Sequence, residues 1–243
     1  MKRKENMANQ IVEIDVQKLF ESGAHFGHRT SRWNPKMAKY IHSKKKGIHI
    51  IDLEKTADCL KSALDYIYDA IAKGQSILLV GTKPQSRGIV QEVAQKTGMP
   101  YISKRWLGGT LTNWNTISSQ IRKLKELESK IVSGAYNDKL NKLEIQRIQE
   151  KVDDLNDIYS GIKEMNGLPS IIFVVDAVND HISINEANKL NIPIVAIVDT
   201  NADPTRVTYP IPANDDSLKS ISLILSYLEA TILSAKSKVK KTN

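Results

Sequence analysis

Apolar residues along this chain fall in short continuous runs, separated by longer stretches of helical spacing. Ser76–Val80 is an apolar run closed by Gly81, which predicts a buried strand. Ser170–Val175 and Ile194–Val198 are runs of the same kind, and Ile48–Ile51 is a brief strand candidate. Glu54–Lys73 sets Ala57, Leu60, Leu64, Ile67 and Ile71 on one helical face. Gln85–Lys96 predicts a second helix, closed by Gly98 and Pro100, and His181–Leu190 a short third one. Asp215–Leu233 predicts a final helix with Leu218, Ile221, Ile224, Leu225 and Leu228 turned inward, capped by Asn214 or Asp215. Continuous runs suit a parallel sheet covered on both faces, and strand–helix alternation makes the body a doubly wound α/β fold.

One segment breaks that rhythm. Ile117, Leu124, Leu127 and Ile131 fall at heptad-like steps, with Gln120 in the missing position and Ile121 beside it. After the turn Ser133-Gly134-Ala135-Tyr136-Asn137-Asp138, the residues Ile145, Ile148, Val152, Leu155, Tyr159 and Ile162 step by three and four. Such a pattern predicts an antiparallel helical (coiled-coil) hairpin with arms of about 30 Å. Nine Lys or Arg in the hairpin and just beyond it, up to Lys163, match nine Asp or Glu up to Glu164, so it is near neutral, and the excess charge resides elsewhere. Protein contact is one reading of the hairpin; heptads that only pair with each other are the other.

Charge then changes the picture. The 243 residues include 35 Lys and Arg against 27 Asp and Glu, a net charge of +8 that favours a polyanionic partner. Between Ser22 and Ile51 there is no acidic residue, while Arg29, Arg32, Lys36, Lys39, Lys44, Lys45 and Lys46 are interleaved with His25, His28, His42, His49, Phe26, Trp33 and Tyr40. Cations and flat rings without carboxylates are what a nucleic-acid surface needs. A single cysteine, Cys59, excludes an internal disulfide and reads as a buried, inert thiol. No uninterrupted apolar run approaches a membrane span, and Met1-Lys2-Arg3-Lys4 has no apolar stretch behind it, so a soluble cytoplasmic protein is expected. Lys236, Lys238, Lys240 and Lys241 read as a disordered basic tail. Residues 1–15 are expected as an extension, 16–111 with 162–234 as the α/β body, 112–161 as the hairpin and 235–243 as the tail.

Candidate chemistry is sparse. Gly81-Thr82-Lys83 sits between a strand and a helix, where α/β proteins bind phosphates, but it lacks the two spaced glycines of a phosphate loop, and Pro84 removes a donor. Lys83 and Arg87 are therefore expected to meet an RNA phosphate rather than a nucleotide. Asp176 and Asp199 end the two strongest strands, and Thr200-Asn201-Ala202-Asp203-Pro204 reads as a turn whose side chains bind its own backbone. His28 with Asp199, Asp215 or Asp216 would form a divalent metal site if folding joined them; a histidine bonded to structure or RNA is the alternative. Arg105-Trp106-Leu107-Gly108-Gly109 leads into the hairpin, either as a hinge or with Lys104, Arg105 and Trp106 facing RNA. Trp33, like His25 and His28, is expected to fix its loop more than to read a base.

Several longer stretches resemble a known family. Leu19-Phe20-Glu21-Ser22-Gly23-Ala24-His25-Phe26-Gly27-His28 and Arg32-Trp33-Asn34-Pro35-Lys36-Met37 are similar to the N-terminal signature of bacterial-type small-subunit ribosomal protein two. So are Gly47-Ile48-His49-Ile50-Ile51-Asp52-Leu53-Glu54-Lys55-Thr56, Arg105–Gly109, Ala196-Ile197-Val198-Asp199-Thr200-Asn201 and Pro212-Ala213-Asn214-Asp215-Asp216. The likeness spans Val16 to Leu233. It implies a flavodoxin-like sheet with a projecting hairpin and a structural ribosomal protein rather than an enzyme. It also implies small-subunit ribosomal RNA and neighbouring ribosomal proteins as partners, late entry into assembly, and help in docking the large mRNA-binding protein one. No cofactor is required. Ala213 stands where glycine is usual and Pro84 where a basic residue is common. Met1–Asn6 looks like an extension, with Met7 an alternative start.

Overall fold

The computed structural model describes residues 13–136 and 141–242. Most of the expected N-terminal extension, and Asn137 and Asp138 of the hairpin turn, lie outside those residues. The chain enters α1 (Val16–Glu21), whose cap Asp15 accepts from the amides of Gln17 and Lys18. The acid-free segment then forms a three-stranded antiparallel sheet: β1 (Phe26–Arg29), β2 (Ile41–Lys45) and β3 (Ile48–Ile51), in the order β1-β3-β2. Sequence pattern finds only the last of these strands. Lys46 and Gly47 join β2 to β3 with φ of 49° and 78°, the two positive values a tight hairpin turn of matching twist requires.

The larger sheet is parallel. It contains β4 (Ile77–Val80), β5 (Tyr101–Ile102), β6 (Ile171–Val174), β7 (Ile194–Val198) and β8 (Tyr209–Pro212), in the order β5-β4-β6-β7-β8. This is the flavodoxin-like order, with its switch point between β4 and β6. Alternation along each strand divides the core in two. Leu79, Phe173, Val195 and Ile211 pack against α2 (Leu53–Ala72), α3 (Pro84–Thr97) and α7 (Leu218–Thr242). Leu78, Val80, Ile172, Val174 and Ala196 pack against α6 (His181–Lys189) and the inner faces of α4 (Trp114–Val132) and α5 (Lys142–Tyr159).

The helical pair is thus joined to the body's second core. Ile117, Ile121, Leu124, Val152 and Tyr159 are buried there, while Val132 and Leu143 near the far end are exposed. Asn156 and Lys163 both donate to Glu128 Oε1, which ties the two arms together. α5 opens on a capping box between Asn141 and Glu144.

Three sequence expectations are corrected. The last helix starts at Leu218, not Asp215: Asn214 accepts from the amides of Asp216 and Ser217 in a turn before it, and Asp215 is engaged elsewhere. α7 continues to Thr242, so Lys236 and Lys238 belong to a helix and not to a disordered tail. α7 also has the length and composition to cross a membrane, which the run-length criterion misses, but Ile221, Ile224, Leu225, Leu228 and Ile232 on its inner face are wholly buried in the first core. Cys59 is half-buried, and burial pushes its thiol up, so it stays protonated at neutral pH.

β8 escapes the sequence pattern because it holds two prolines. Ala213 donates to Val198 O, so by the two-residue period Ile211 and Tyr209 also face β7, and Pro210 and Pro212 stand where backbone N–H groups would point outward. The outward carbonyl of Pro212 accepts from the buried Thr56 hydroxyl of α2 at 2.6 Å.

Candidate nucleic-acid interface

The antiparallel sheet, the 3₁₀ turns between β1 and β2, and the β2–β3 turn present their cations to solvent. Arg29, Arg32, Lys36, Lys39, Lys44, Lys45 and Lys46 are all exposed. Lys36 pairs with Asp203 at 2.6 Å, and Lys39 lies over the Tyr40 ring at 4.7 Å. Arg29, Arg32, Lys44, Lys45 and Lys46 have no acidic partner among the described residues. The rings support this surface from behind. His25 stacks on Phe20 at 4.5 Å, and burial holds its pKa below the ordinary value. Trp33 leans on His49 at 5.0 Å; His49 is buried with neither ring nitrogen bonded, and its pKa is also lowered by burial. Both imidazoles are therefore neutral packing groups at neutral pH, and the positive potential comes from Lys and Arg.

The sheet is fastened to the body through β1. The His28 amide donates to Thr200 Oγ1 and to Asp199 Oδ1. That approach requires Gly27, since a Cβ there would lie 2.5 Å from Thr200 Cγ2. His28 Nδ1 lies 3.0 Å from Asp199 Oδ2 and Nε2 3.5 Å from Asp216 Oδ2. Contact with Asp199 raises its pKa, against the opposing effect of burial.

A ligand position common in this fold is filled by the chain itself. At the switch point Lys83 reaches Asp216 at 2.6 Å, Asp176 at 2.9 Å and Asp215 at 3.0 Å. Burial opposes its charge, yet these carboxylates raise its pKa well above the usual lysine value. Next to it, Thr82 donates its amide and hydroxyl to the buried Asp180. Lys83 is accordingly corrected from an RNA contact to an internal counterion. The signal for this is legible in the sequence: a parallel sheet gathers all strand ends on one edge, so Asp176, Asp199 and the lysine after β4 must meet there.

His28, Asp199 and Asp215 each offer a ligand atom within 4.8 Å of the others. Asp199 Oδ2 is buried against His28 Nδ1 at 3.0 Å, and Asp215 Oδ2 is buried without a hydrogen-bond partner. Burial and the neighbouring Asp176 and Asp199 push the Asp215 carboxyl up to about 7. One imidazole nitrogen and two buried carboxylate oxygens are a chemically suitable donor set for a divalent cation.

The third cationic group lies across the switch point. Arg87 donates Nε to Thr82 O at 2.8 Å and NH2 to Lys104 O at 3.3 Å. Lys104 pairs with Asp157 of α5 at 2.5 Å, and Arg105 is exposed with no acidic partner among the described residues. The following loop folds around one acid that sequence reasoning missed. Buried Glu186 of α6 accepts from Trp106 Nε1, the amides of Gly109, Leu111 and Thr112, and the Thr112 hydroxyl, at 2.7–3.0 Å. Burial opposes its charge, but these donors hold its carboxyl below the usual glutamate range. Trp106 is thereby a buried wall of the loop rather than a ring facing RNA.

Fold and site together define a binding scaffold: a flavodoxin-like body whose ligand crevice is closed by its own ion pairs, bearing an exposed cationic sheet. Compared with known proteins, the chain belongs to the family described as ribosomal protein S2, whose model matches residues 19–235. It is 46% identical over 223 residues to small ribosomal subunit protein uS2 of a Nitratiruptor species, covering 92% of this chain and 83% of that one. It is also 46% identical over 228 residues to the protein of the same name from Dehalococcoides mccartyi (strain 195), covering 94% and 93%. The uS2 of Ehrlichia canis (strain Jake) is 47% identical over 225 residues, covering 93% and 77%. This is a family of structural ribosomal proteins, not of enzymes.

Proposed function

We propose that the chain is a structural constituent of the small ribosomal subunit, anchored to small-subunit ribosomal RNA by the β1–β3–β2 sheet. The observation that carries this reading is the exposed, acid-free sheet with its turns, where Arg29, Arg32, Lys44, Lys45 and Lys46 lack acidic partners among the described residues. Lys36 and Lys39 flank it, and Arg87, Lys104 and Arg105 form a second contact region. Family membership supports the same assignment and a cytoplasmic, ribosome-bound location. The resemblance of the N-terminal motifs further supports late entry into assembly and a part in docking the large mRNA-binding protein one. The near-neutral helical pair, with Val132 and Leu143 exposed, is the face for neighbouring proteins. His28, Asp199 and Asp215 hold a divalent cation that staples β1 to the body, a reading supported by their close grouping and by the unpartnered Asp215 Oδ2.

Two measurements test this. Replacing Arg29, Arg32, Lys44, Lys45 and Lys46 with alanine should weaken binding to small-subunit ribosomal RNA at least tenfold. Binding should also lose salt dependence, by about 0.9 in slope for each duplex phosphate contact removed. An unchanged slope would sink the RNA reading. For the metal, Zn²⁺ added to chelator-treated protein should raise its thermal midpoint, through binding that favours the native state. The shift should vanish in His28→Ala; an equal shift in that variant rules the site out.

A further inference from the structure

We propose that the cleft between the β4–α3 loop and the Lys104–Trp106 loop is a subsite for one backbone phosphate of the ribosomal RNA. This deepens the RNA-binding reading above and rests on it. The cleft is about 320 Å³ and opens between Thr82, Arg87, Lys104 and Arg105 on one side and Asn179 and Asp180 on the other. Arg87 is the fixed element. Its two internal bonds run to carbonyl oxygens, which orient the guanidinium without neutralising it. Arg105 brings a second uncompensated charge, and the Glu186-bound loop that follows it fixes where Arg105 leaves the body. Lys104 is the third cation, held by the exposed Asp157 carboxylate; an exposed pair of this kind is weak and is readily exchanged for a phosphate.

The one acid in the lining does not oppose this. Asp180 is buried, and its oxygens accept from the Thr82 amide, the Thr82 hydroxyl and the Asn179 side chain. Desolvation raises its pKa above the ordinary aspartate value, but the bonds from Thr82 and Asn179 occupy its oxygens and turn them away from an incoming anion. A planar, pre-oriented guanidinium suits a phosphodiester in a way a free lysine does not.

The experiment uses full-length protein and small-subunit ribosomal RNA in filter binding across a KCl series. Arg105→Ala, which breaks no internal bond, should weaken binding about tenfold and reduce the salt slope by about 0.7–0.9, one phosphate's share. Arg87→Lys keeps charge but loses the carbonyl ties, and should fall between wild type and Arg87→Ala. Asp157→Asn releases Lys104 and should tighten binding two- to threefold, an outcome that structural damage cannot imitate. If wild type fails to bind RNA at all, the RNA-binding reading itself fails. If wild type binds but Arg105→Ala keeps its slope, or Asp157→Asn does not tighten binding, the subsite is refuted. Millimolar AMP should not displace the RNA; displacement would mean a free-nucleotide site instead and overturn the assignment.

Discussion

Glu186 shows how one side chain sets a local conformation. Its carboxylate serves five donors of a loop that otherwise has two glycines and few apolar anchors. Glu186→Gln is nearly isosteric but turns an amide group toward donors, so at neutral pH it should destabilise the protein by about 1–3 kcal/mol in urea titration. The sign with pH follows from the lowered pKa. The stability this group contributes is present above the ordinary glutamate pKa and is lost as pH falls through its folded value. The gap between wild type and Glu186→Gln should therefore close in acid; a gap constant down to about pH 3 contradicts the account. Nothing in the sequence marks Glu186, which sits in a polar helix with no periodic or motif signal. Lys83 misleads for the opposite reason: its place after a strand is a familiar phosphate position, and only the meeting of three strand ends reveals its partners.

At the scale of elements, the continuous apolar strands and long amphipathic helices can be read directly, since burial on both faces leaves a strong pattern. β1 and β2 cannot. β1 is four residues including Gly27 and His28, and β2 runs exposed along most of its length, so neither carries an apolar signature. The heptads of α4 and α5 correctly mark their inward faces, with Val152 and Tyr159 buried and Ile145 and Ile148 partly so. They do not show that the pair's base also covers the parallel sheet. Replacing residues 133–150 with a short Gly-Ser linker keeps Leu124 and Val152 in place and should leave the near-ultraviolet circular dichroism of the body unchanged. Excising 113–160 uncovers Leu78, Val80 and Ile172 and should unfold or aggregate the protein. Equal behaviour of the two deletions would refute this division.

Across the whole molecule, charge is segregated. Carboxylates gather around Lys83 and His28 at the parallel sheet's edge, the helical pair balances its own charges, and the antiparallel sheet holds Arg29, Lys44 and Lys45 with no acidic partner among the described residues. Long-range attraction to a polyanion therefore has one dominant origin. The protein shortened at 133–150 should accordingly keep the wild-type salt slope for RNA binding, even if its affinity for neighbouring proteins falls; a slope reduced as far as in the cation variants would mean that the helical pair carries phosphate contacts after all.

The two prolines of β8 bear on the life of the chain before it joins other molecules. A parallel sheet's rim is a template on which another copy can add a strand. On this rim two outward donors are missing and one outward acceptor is already taken by Thr56, so an incoming strand finds no ladder to extend. Strand addition at the β8 edge is thus opposed by covalent chemistry in the strand itself, which needs neither a chaperone nor a bound partner to operate.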